Sequence, residues 1–368
     1  MTQLLNLFTR RGQARSGCSL LFLIVGSILA FISATAILWT NEGRVDFGRI
    51  GAGSIPLETA AIDPGVADAF VAANGVLVGD APVGDGSFLR PGNWLEVQRL
   101  VEMYAWEEKA KSDASSGTRT PDDYEYRTAR SDEPADSSAF AAPADHANPS
   151  LTVSGGTFRP ESGHIGAYVV DLRSLDLPDP APLILEREAV VLREERTLSG
   201  EYIFIGKGRL EQPQVGDLRL RFQTVAGGKQ ATLFGQVDGN GIGPYFHRER
   251  NRLYRTFFSG RADALAEMSA EYRFALWGMR VVGLTLYWVS LLLVFSPLTR
   301  LLGGVPLLGG LGKGLIAVVT FVVAALLALL VAGIAWFLHN PLALLILLVL
   351  AGMIFVVVRL LWPRIQKT

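Results

Sequence analysis

The stretch that decides the fold is Tyr272-Arg273-Phe274-Ala275-Leu276-Trp277-Gly278-Met279-Arg280, where a long polar segment gives way to apolar sequence. Three apolar stretches with almost no charge follow this junction, and one more covers residues 18–39 near the N-terminus. Apolar stretches of about 20 residues have the length that an α-helix needs to cross a bilayer. The chain is therefore expected to enter a lipid bilayer on both sides of one water-soluble segment.

The composition excludes one large class of function. The chain has 368 residues with 34 Lys and Arg against 35 Asp and Glu, so its charge is nearly balanced. A nucleic-acid-binding protein would carry a strongly basic domain, and none is present. Cys18 is the single cysteine, so no disulfide can form within the chain, and the soluble segment must be stable through its own core.

These patterns predict a multipass α-helical membrane protein with four spans (1+3) and a large inserted α+β, β-rich extracytosolic domain. The first apolar stretch is too long for the core of a cleaved signal peptide, so it is expected to remain as an anchor. The predicted segments are a cytoplasmic N-terminus (residues 1–17), transmembrane helix 1 (18–39), the β-rich domain (40–273), transmembrane helices 2, 3 and 4 (274–298, 314–338 and 341–358) and a cytoplasmic tail (359–368).

The positions of Lys and Arg set the predicted orientation, because these residues accumulate in cytoplasmic loops. With four spans, both termini share a side with the loop from Thr299 to Lys313. That side holds Arg10, Arg11, Arg15, Arg300, Lys313, Arg359, Arg364 and Lys367. The short loop on the other side, His339 to Pro341, contains neither Lys nor Arg. The termini are therefore predicted to face the cytoplasm, and the inserted domain the periplasm or lumen.

The inserted domain is predicted to be mostly β-structure. Alternating apolar and polar residues predict strands at 75–80, 94–106, 124–128, 166–172, 202–206, 217–222 and 231–237. The Ala-, Gly- and Pro-rich residues 55–78 indicate a helix-and-turn segment, residues 111–123 a hairpin tip, and residues 251–272 a helix that leads into the membrane. The similarity of 76–79 to 203–206, each ahead of a long strand, predicts two related halves.

Short motifs along the chain resemble those of a known family. They are Asn41-Glu42-Gly43-Arg44 after the first helix, Val101-Glu102-Met103-Tyr104-Ala105-Trp106, Tyr124-Glu125-Tyr126, His146-Ala147-Asn148-Pro149, Val215-Gly216-Asp217-Leu218-Arg219 and Trp277-Gly278-Met279-Arg280. With the order of one helix, a long insert and three helices, they resemble the LUMA family, also called transmembrane protein 43.

The resemblance implies a function and a location. Eukaryotic members of that family reside in the endoplasmic reticulum and inner nuclear membrane, self-associate, contact lamins and emerin, and are thought to help organise the nuclear envelope. For this chain the resemblance implies a non-enzymatic scaffold that self-associates and recruits other membrane proteins. The Ala-, Gly- and Arg-rich usage favours a bacterial source, in which the scaffold would lie in the inner or plasma membrane and lamins would not be partners.

The candidate interaction residues are those of the family motifs. They are Asn41, Glu42, Gly43, Arg44, Glu102, Tyr104, Trp106, His146, Asn148, Pro149, Asp217, Trp277 and Arg280. Arg280 is the most informative, because a guanidinium at the centre of an apolar span costs about 3 kcal/mol or more. It either extends to the interface beside Trp277 or binds a lipid phosphate or an acidic partner. Glu42 and Arg44 lie at the same predicted depth, and one hypothesis is that Glu42 pairs with Arg280 and locks the first and second helices together.

No catalytic, metal or cofactor site is predicted. The four histidines, His146, His164, His247 and His339, lack metal-ligand spacing, and neither a nucleophile motif nor a phosphate-binding loop is present. One alternative is an enzyme or ligand-binding site in the soluble domain, which a pocket that collects His146, Asp171 and Asp217 would support. A transporter or channel subunit ranks lower, because the spans lack carboxylates. The expected partners are the lipid bilayer, further copies of the chain and other membrane proteins, but not nucleic acid.

Overall fold

A computed structural model describes residues 16–111, 123–193, 196–302 and 309–340, and beyond them 342–346, 349 and 352–353. The chain divides into two compact units. One combines Met1–Asp46 with Glu267–Thr368, and the other is Phe47–Ala266. We call the first the membrane unit and the second the soluble unit, and describe each by itself.

The helices with both ends described are α1 (Ser16–Glu42), α2 (Phe47–Ala52), α3 (Arg261–Leu302) and α4 (Gly309–His339), and residues 342–346 are also helical. Within the described residues, three segments are long and apolar enough to cross a membrane, Phe22–Ala52, Arg261–Ser296 and Gly314–His339. Most of the predicted fourth span, 341–358, lies outside the described residues, as does the centre of the predicted loop between the second and third spans.

The membrane unit is held together by small and polar side chains between its helices. Leu38 of α1, Tyr287 of α3 and Ala324 of α4 are buried in one shared core. The Ser290 hydroxyl donates a hydrogen bond of 2.9 Å to the carbonyl oxygen of Ser27. Such contacts replace the hydrophobic effect as the source of helix association in lipid, where apolar side chains gain little from leaving the solvent.

Most of the regular secondary structure in the soluble unit is β-structure. Its strands are β1 (Ile55–Glu58), β2 (Phe70–Gly79), β3 (Trp94–Ala110), β4 (Tyr124–Ser131), β5 (Gly156–Phe158), β6 (Ser162–Ile165), β7 (Tyr168–Asp171), β8 (Ala181–Pro182), β9 (Arg196–Ser199), β10 (Tyr202–Ile205), β11 (Leu218–Ala226), β12 (Lys229–Asp238), β13 (Gly241–Gly243), β14 (Tyr245–His247), β15 (Asn251–Leu253) and β16 (Arg255–Phe257). Short 3₁₀ turns occupy Pro64–Val66, Ser137–Ala139 and Arg187–Ala189.

Five of these strands close a barrel in the order β2-β6-β7-β13-β12, with β12 pairing back to β2. The spatial order β12-β2-β6-β7 puts the fourth strand beside the first, as in a Greek key. β1 extends the sheet beside β2, and β16 beside β12. The interior is filled by buried side chains that include Val71, Leu77, Tyr168, Leu233 and Tyr254.

A second sheet has the order β4-β3-β11-β10-β9, with β5 added to β3 and β8 to β11. β3 is its longest strand, because β11 pairs with its first half as far as Met103 and β4 pairs with its second half from Met103 to Ala110. The core of this sheet includes Phe88, Val101, Leu220 and Phe222. Its strands alternate along the chain with those of the barrel, so neither sheet is a continuous piece of sequence.

Two predictions about secondary structure are wrong. Residues 55–78 form β1 and most of β2 rather than a helix, and their small residues mark close packing: a Cβ on Gly75 would lie 2.1 Å from Thr59 Oγ1. The predicted helix at 251–272 begins only at Arg261, after β15 and β16. Pairing of Thr256 and Phe257 with β12 outweighs the helical spacing of that segment.

Candidate functional site

The motif residues lie in two places. Asn41, Glu42, Gly43, Trp277 and Arg280 form one group in the membrane unit, which we call the membrane-edge cluster. The motif residues of the soluble unit gather around the second half of β3 and the start of β11, and we call them the strand-edge cluster.

At the centre of the membrane-edge cluster is an ion pair between the last residue of α1 and the interior of α3. The Arg280 guanidinium donates to the Glu42 carboxylate through Nε at 2.8 Å and through Nη2 at 2.9 Å. The Glu42 side chain is 1% exposed and that of Arg280 28% exposed. The guanidinium also lies 4.8 Å from the centre of the Trp277 ring, which is a favourable cation–π distance. The pair hypothesised from the sequence is therefore present.

The neighbours of this ion pair join all three long helices. The Asn41 amide nitrogen Nδ2 donates to the Leu276 carbonyl oxygen at 2.9 Å, while its buried Oδ1 has no hydrogen-bond partner in the part of the chain that the structure describes. Gly43 lies against the end of α4, where an added Cβ would be 2.7 Å from the His339 ring. Arg44 is exposed and donates its backbone N–H to the Asn41 carbonyl oxygen.

A cavity of about 570 Å³ opens between the same three helices. It is lined by Leu38 of α1, by the segment of α3 from Trp277 to Leu284, and by the segment of α4 from Ala325 to Trp336. Among the described lining residues, Arg280 is the single charged side chain.

In the strand-edge cluster, Asn148 takes the place of a strand partner. Tyr104 exchanges backbone hydrogen bonds with Gly216 and Asp217, where the pairing of β3 with β11 comes to its end. Two residues further on, the Asn148 side chain accepts from Trp106 N at 2.7 Å and donates to Trp106 O at 3.0 Å. The carboxamide thus satisfies both backbone groups of Trp106 on a strand edge that would otherwise be open.

His146 belongs to an aromatic group beside Asn148. Its ring stacks on Tyr126 with 3.7 Å between ring centres and meets the Trp106 ring edge-on at 4.7 Å. The Tyr126 hydroxyl donates to the Glu108 carboxylate at 2.7 Å. Desolvation and this carboxylate raise the pKa of Tyr126, so the phenol remains a neutral donor. The motif histidine therefore packs within a hydrogen-bonded aromatic group.

Asp217 holds the loop that precedes β11. Its carboxylate accepts hydrogen bonds from the backbone N–H groups of Lys207, Gly208 and Gln214 at 2.7–3.0 Å. The neighbouring Gly216 has a φ of +95°, and a Cβ there would lie 2.8 Å from Pro149 Cγ. A side chain at position 216 would therefore be strained and would collide with Pro149.

Glu102, on the same part of β3, forms an ion pair with Arg219 of β11. The Arg219 guanidinium lies 4.7 Å from the centre of the Tyr202 ring. Tyr104, two residues along β3, shares a hydrogen bond of 2.6 Å with the Thr128 hydroxyl of β4. The motif side chains thus connect β3 to both of its neighbouring strands.

The structure does not join His146, Asp171 and Asp217 into one reactive group. Asp171 instead accepts from the Ser174 hydroxyl and the Arg173 N–H, which lower its pKa although partial burial opposes them. No hydrogen bond among the described residues connects the three side chains to one another. In that same part of the chain, no group of three or more His, Cys, Asp or Glu residues is placed to hold a metal ion.

Sequence reasoning missed Asp85, a fully buried carboxylate. Its Oδ1 accepts from the N–H groups of Ser87, Phe88 and Leu89 at 2.7–3.0 Å, and its Oδ2 accepts from Arg99 at 2.7 Å. These contacts direct Phe88 and Leu89 into the core of the second sheet. The available signal was the Asp85-Gly86 pair, since Asp before Gly is typical of turns.

One comparison with known proteins identifies a similar family. The family described as Transmembrane protein 43 matches residues 103–341 of the chain. The matched range contains most of the strand-edge cluster and all of α3 and α4, whereas Asn41 to Arg44 and Glu102 precede it. No curated protein and no solved structure is detectably similar to the chain.

Proposed function

Because the chain belongs to the transmembrane protein 43 family, we propose that it is a non-enzymatic membrane scaffold, which self-associates and organises other membrane proteins through its soluble unit. Its three long apolar helices and its family make it an integral membrane protein. We further propose that a fourth span follows α4 and that both termini face the cytoplasm. The soluble unit then lies outside the cytoplasm, as the distribution of Lys and Arg indicates.

The observation that carries this proposal is how the polar motif side chains are used. Asp217 binds three backbone N–H groups, and Asn148 satisfies both backbone groups of Trp106. A general acid, base or nucleophile has to reach a substrate atom, and its environment is arranged for that purpose. Side chains that already form hydrogen bonds with backbone groups of their own domain instead hold the local shape of its surface.

The ion pair of Glu42 with Arg280 supports the same role. α1 and α3 are the helices that precede and follow the soluble unit in the sequence, and this pair ties them together. A scaffold has to present its binding surface in a constant geometry. A fixed pair of anchoring helices supplies such a geometry at the points where the chain leaves and re-enters the bilayer.

The proposal predicts assemblies that depend on the soluble surface. Ile184 is 84% exposed and Phe246 51% exposed, and large apolar side chains of this kind are candidate contacts with partners. The full-length protein would be cross-linked in native membranes as wild type, as the Ile184→Glu, Phe246→Glu double variant, and as the matched surface variant Thr197→Glu. We expect the double variant to lose cross-linked membrane proteins that the control retains.

Two outcomes would reject the scaffold. One is a wild-type protein that stays monomeric at every expression level in the membrane and forms no cross-link to another membrane protein. The other is turnover of a substrate by the purified protein, lost in variants of the soluble unit that still fold.

A ligand-binding role for the soluble unit is the second candidate. A polar cleft of about 300 Å³ lies beside residues 100–102 of β3. These residues separate the part of β3 that pairs with β5 from the part that pairs with β4. Arg99, Glu102, Asp132 and Arg221 bring charges of both signs to it. A shift in the unfolding temperature with a small polar metabolite, abolished by Arg221→Ala, would favour this candidate over a scaffold without ligand.

A further inference from the structure

The cavity in the membrane unit has the depth of one leaflet. Along α4 it extends from Ala325 to Trp336, which at 1.5 Å per residue is about 16 Å. The hydrocarbon core of a bilayer is about 30 Å thick, so one leaflet contributes about 15 Å of it. Trp277 and Trp336 mark one end, as expected of tryptophans at a membrane interface.

The polar end of the cavity retains unused hydrogen-bond donors. A guanidinium has five N–H donors, and Glu42 takes two of those of Arg280, one on Nε and one on Nη2. Nη1 has no acceptor among the described residues, and the side chain is 28% exposed. Phosphate oxygens are strong acceptors for such donors. An anionic oxygen can therefore reach Arg280 without breaking its pair with Glu42.

The wall of the cavity suits a hydrocarbon chain. Its described lining residues on α4 include the small side chains Ala325, Ala328, Ala332 and Gly333, and Arg280 is the single charged side chain among the described lining residues. An extended acyl chain fits a space of about 570 Å³ that is about 16 Å long.

We propose that this cavity binds one acyl chain of a glycerophospholipid whose phosphate is held by Arg280. The lipid would come from the leaflet next to Glu42, where α1 ends. Close packing of the acyl chain against the helices contributes affinity through van der Waals contacts. The phosphate contact with Arg280 distinguishes a glycerophospholipid from a neutral lipid with the same acyl chains. Lipid binding at this site does not require that the protein be a scaffold.

The test uses the purified full-length protein in detergent micelles, with native mass spectrometry to count retained lipids. The two probes are dioleoyl phosphatidylglycerol and dioleoylglycerol, which have the same acyl chains but differ in the phosphate. Ala332→Phe fills the cavity, and the matched control Leu330→Phe changes a 58%-exposed side chain of the same helix that does not line it. Arg280→Gln removes the donors at the polar end.

We expect the wild type and Leu330→Phe to retain one phosphatidylglycerol per chain. Ala332→Phe should bind it at least about tenfold more weakly because the ring occupies the space of the acyl chain. Arg280→Gln should lose about tenfold for phosphatidylglycerol, the value of one charged hydrogen bond, and nothing for dioleoylglycerol. Equal retention by Ala332→Phe and Leu330→Phe, or equal binding of both probes to the wild type, would overturn the proposal.

A cysteine pair tests the competing occupant, the chain's own C-terminal segment at 341–358. In a Cys18→Ser background, Leu329→Cys of the cavity wall is combined with Val349→Cys. Nearly complete intramolecular disulfide formation without retained lipid would assign the cavity to that segment. Intermolecular disulfides through Leu329→Cys alone would assign it to a second copy. Either result would overturn lipid binding, whereas retained lipid that blocks both disulfides would support it.

Discussion

The carboxylate of Glu42 and the guanidinium of Arg280 face each other in a two-bond geometry, although the soluble unit separates them in the sequence. Glu42 is almost inaccessible and Arg280 only partly so. Each residue alone would be an unfavourable charge near the membrane, and together they neutralise one another. The pair thus makes the end of α1 and the middle of α3 depend on each other.

Removal of either partner should therefore destabilise the membrane unit. We expect Glu42→Gln and Arg280→Gln each to cost about 3 kcal/mol, because each leaves an uncompensated buried group. The exchanged variant Glu42→Arg, Arg280→Glu should recover most of that loss. Thermal unfolding of the purified protein in detergent measures all four forms. An exchanged variant that is no more stable than the two single variants would show that the two residues do not act as a pair.

Two glycines of α3 provide a matched test of helix packing. A Cβ on Gly283 would lie 2.6 Å from the buried Leu38 Cγ, whereas a Cβ on Gly278 would have no atom within 4 Å. We expect Gly283→Ala to destabilise the bundle by about 1–3 kcal/mol, and Gly278→Ala to be neutral or slightly stabilising. Unfolding in detergent compares them. Leu38→Ala should relieve the clash, and equal effects of the two alanines would contradict this close approach.

In the soluble unit, Asn148→Ala should open the edge of β3 beside Trp106. The substitution removes two hydrogen bonds to Trp106 and one of 3.1 Å to the Ala135 carbonyl oxygen, so we expect a loss of about 2–3 kcal/mol. Hydrogen exchange at the Trp106 N–H should accelerate at the same time. Asn240→Ala is the control, because that side chain is exposed on a turn. Slow exchange at Trp106 in the Asn148 variant would show that another group holds this edge.

Asp85 should make the stability of the soluble unit depend on pH. Burial alone would raise the pKa of Asp85, but the N–H groups of Leu89, Phe88 and Ser87, together with Arg99, outweigh it and lower the pKa. A lowered folded-state pKa gives full stabilisation above the unfolded value of about 3.9, and this stabilisation is lost as the pH falls through the folded value.

Urea unfolding of the full-length protein between neutral and acidic pH measures this effect. We expect Asp85→Asn to cost about 2 kcal/mol at neutral pH and to reduce the loss of stability in acid. Asp238→Asn changes an exposed carboxylate and is the control. A variant at Asp85 with an unchanged acid dependence would show that other carboxylates cause it.

The features that could be predicted from the sequence are those with a local signal. Long apolar runs predicted the three long helices, and alternation predicted β3, β11 and β12 close to their observed bounds. The hypothesis of a Glu42–Arg280 pair also followed from local reasoning, because Glu42 follows the first apolar run and Arg280 lies near the start of the second. The family assignment, made from short motifs, is confirmed by the match over residues 103–341.

Features that depend on distant pairing could not be predicted. Residues 251–257 have helical spacing, yet β15 pairs with β14 and β16 pairs with β12, and this pairing decides their structure. The small residues of β2 suggested turns, although they fill the narrow interior of a barrel. No local pattern in the sequence indicates that β2 pairs with β12. The closure of the barrel and the alternation of the two sheets along the chain therefore could not be predicted.

The alternation of the two sheets has a consequence for biosynthesis. β2 leaves the ribosome long before β12, the neighbouring strand that closes the barrel against it, so the nascent chain must wait for more than half of the domain with its inward-facing apolar residues uncovered. By then the first apolar helix has already been synthesised. Folding of this protein should therefore need a chaperone that shields unfinished strands at the membrane surface until the last ones emerge.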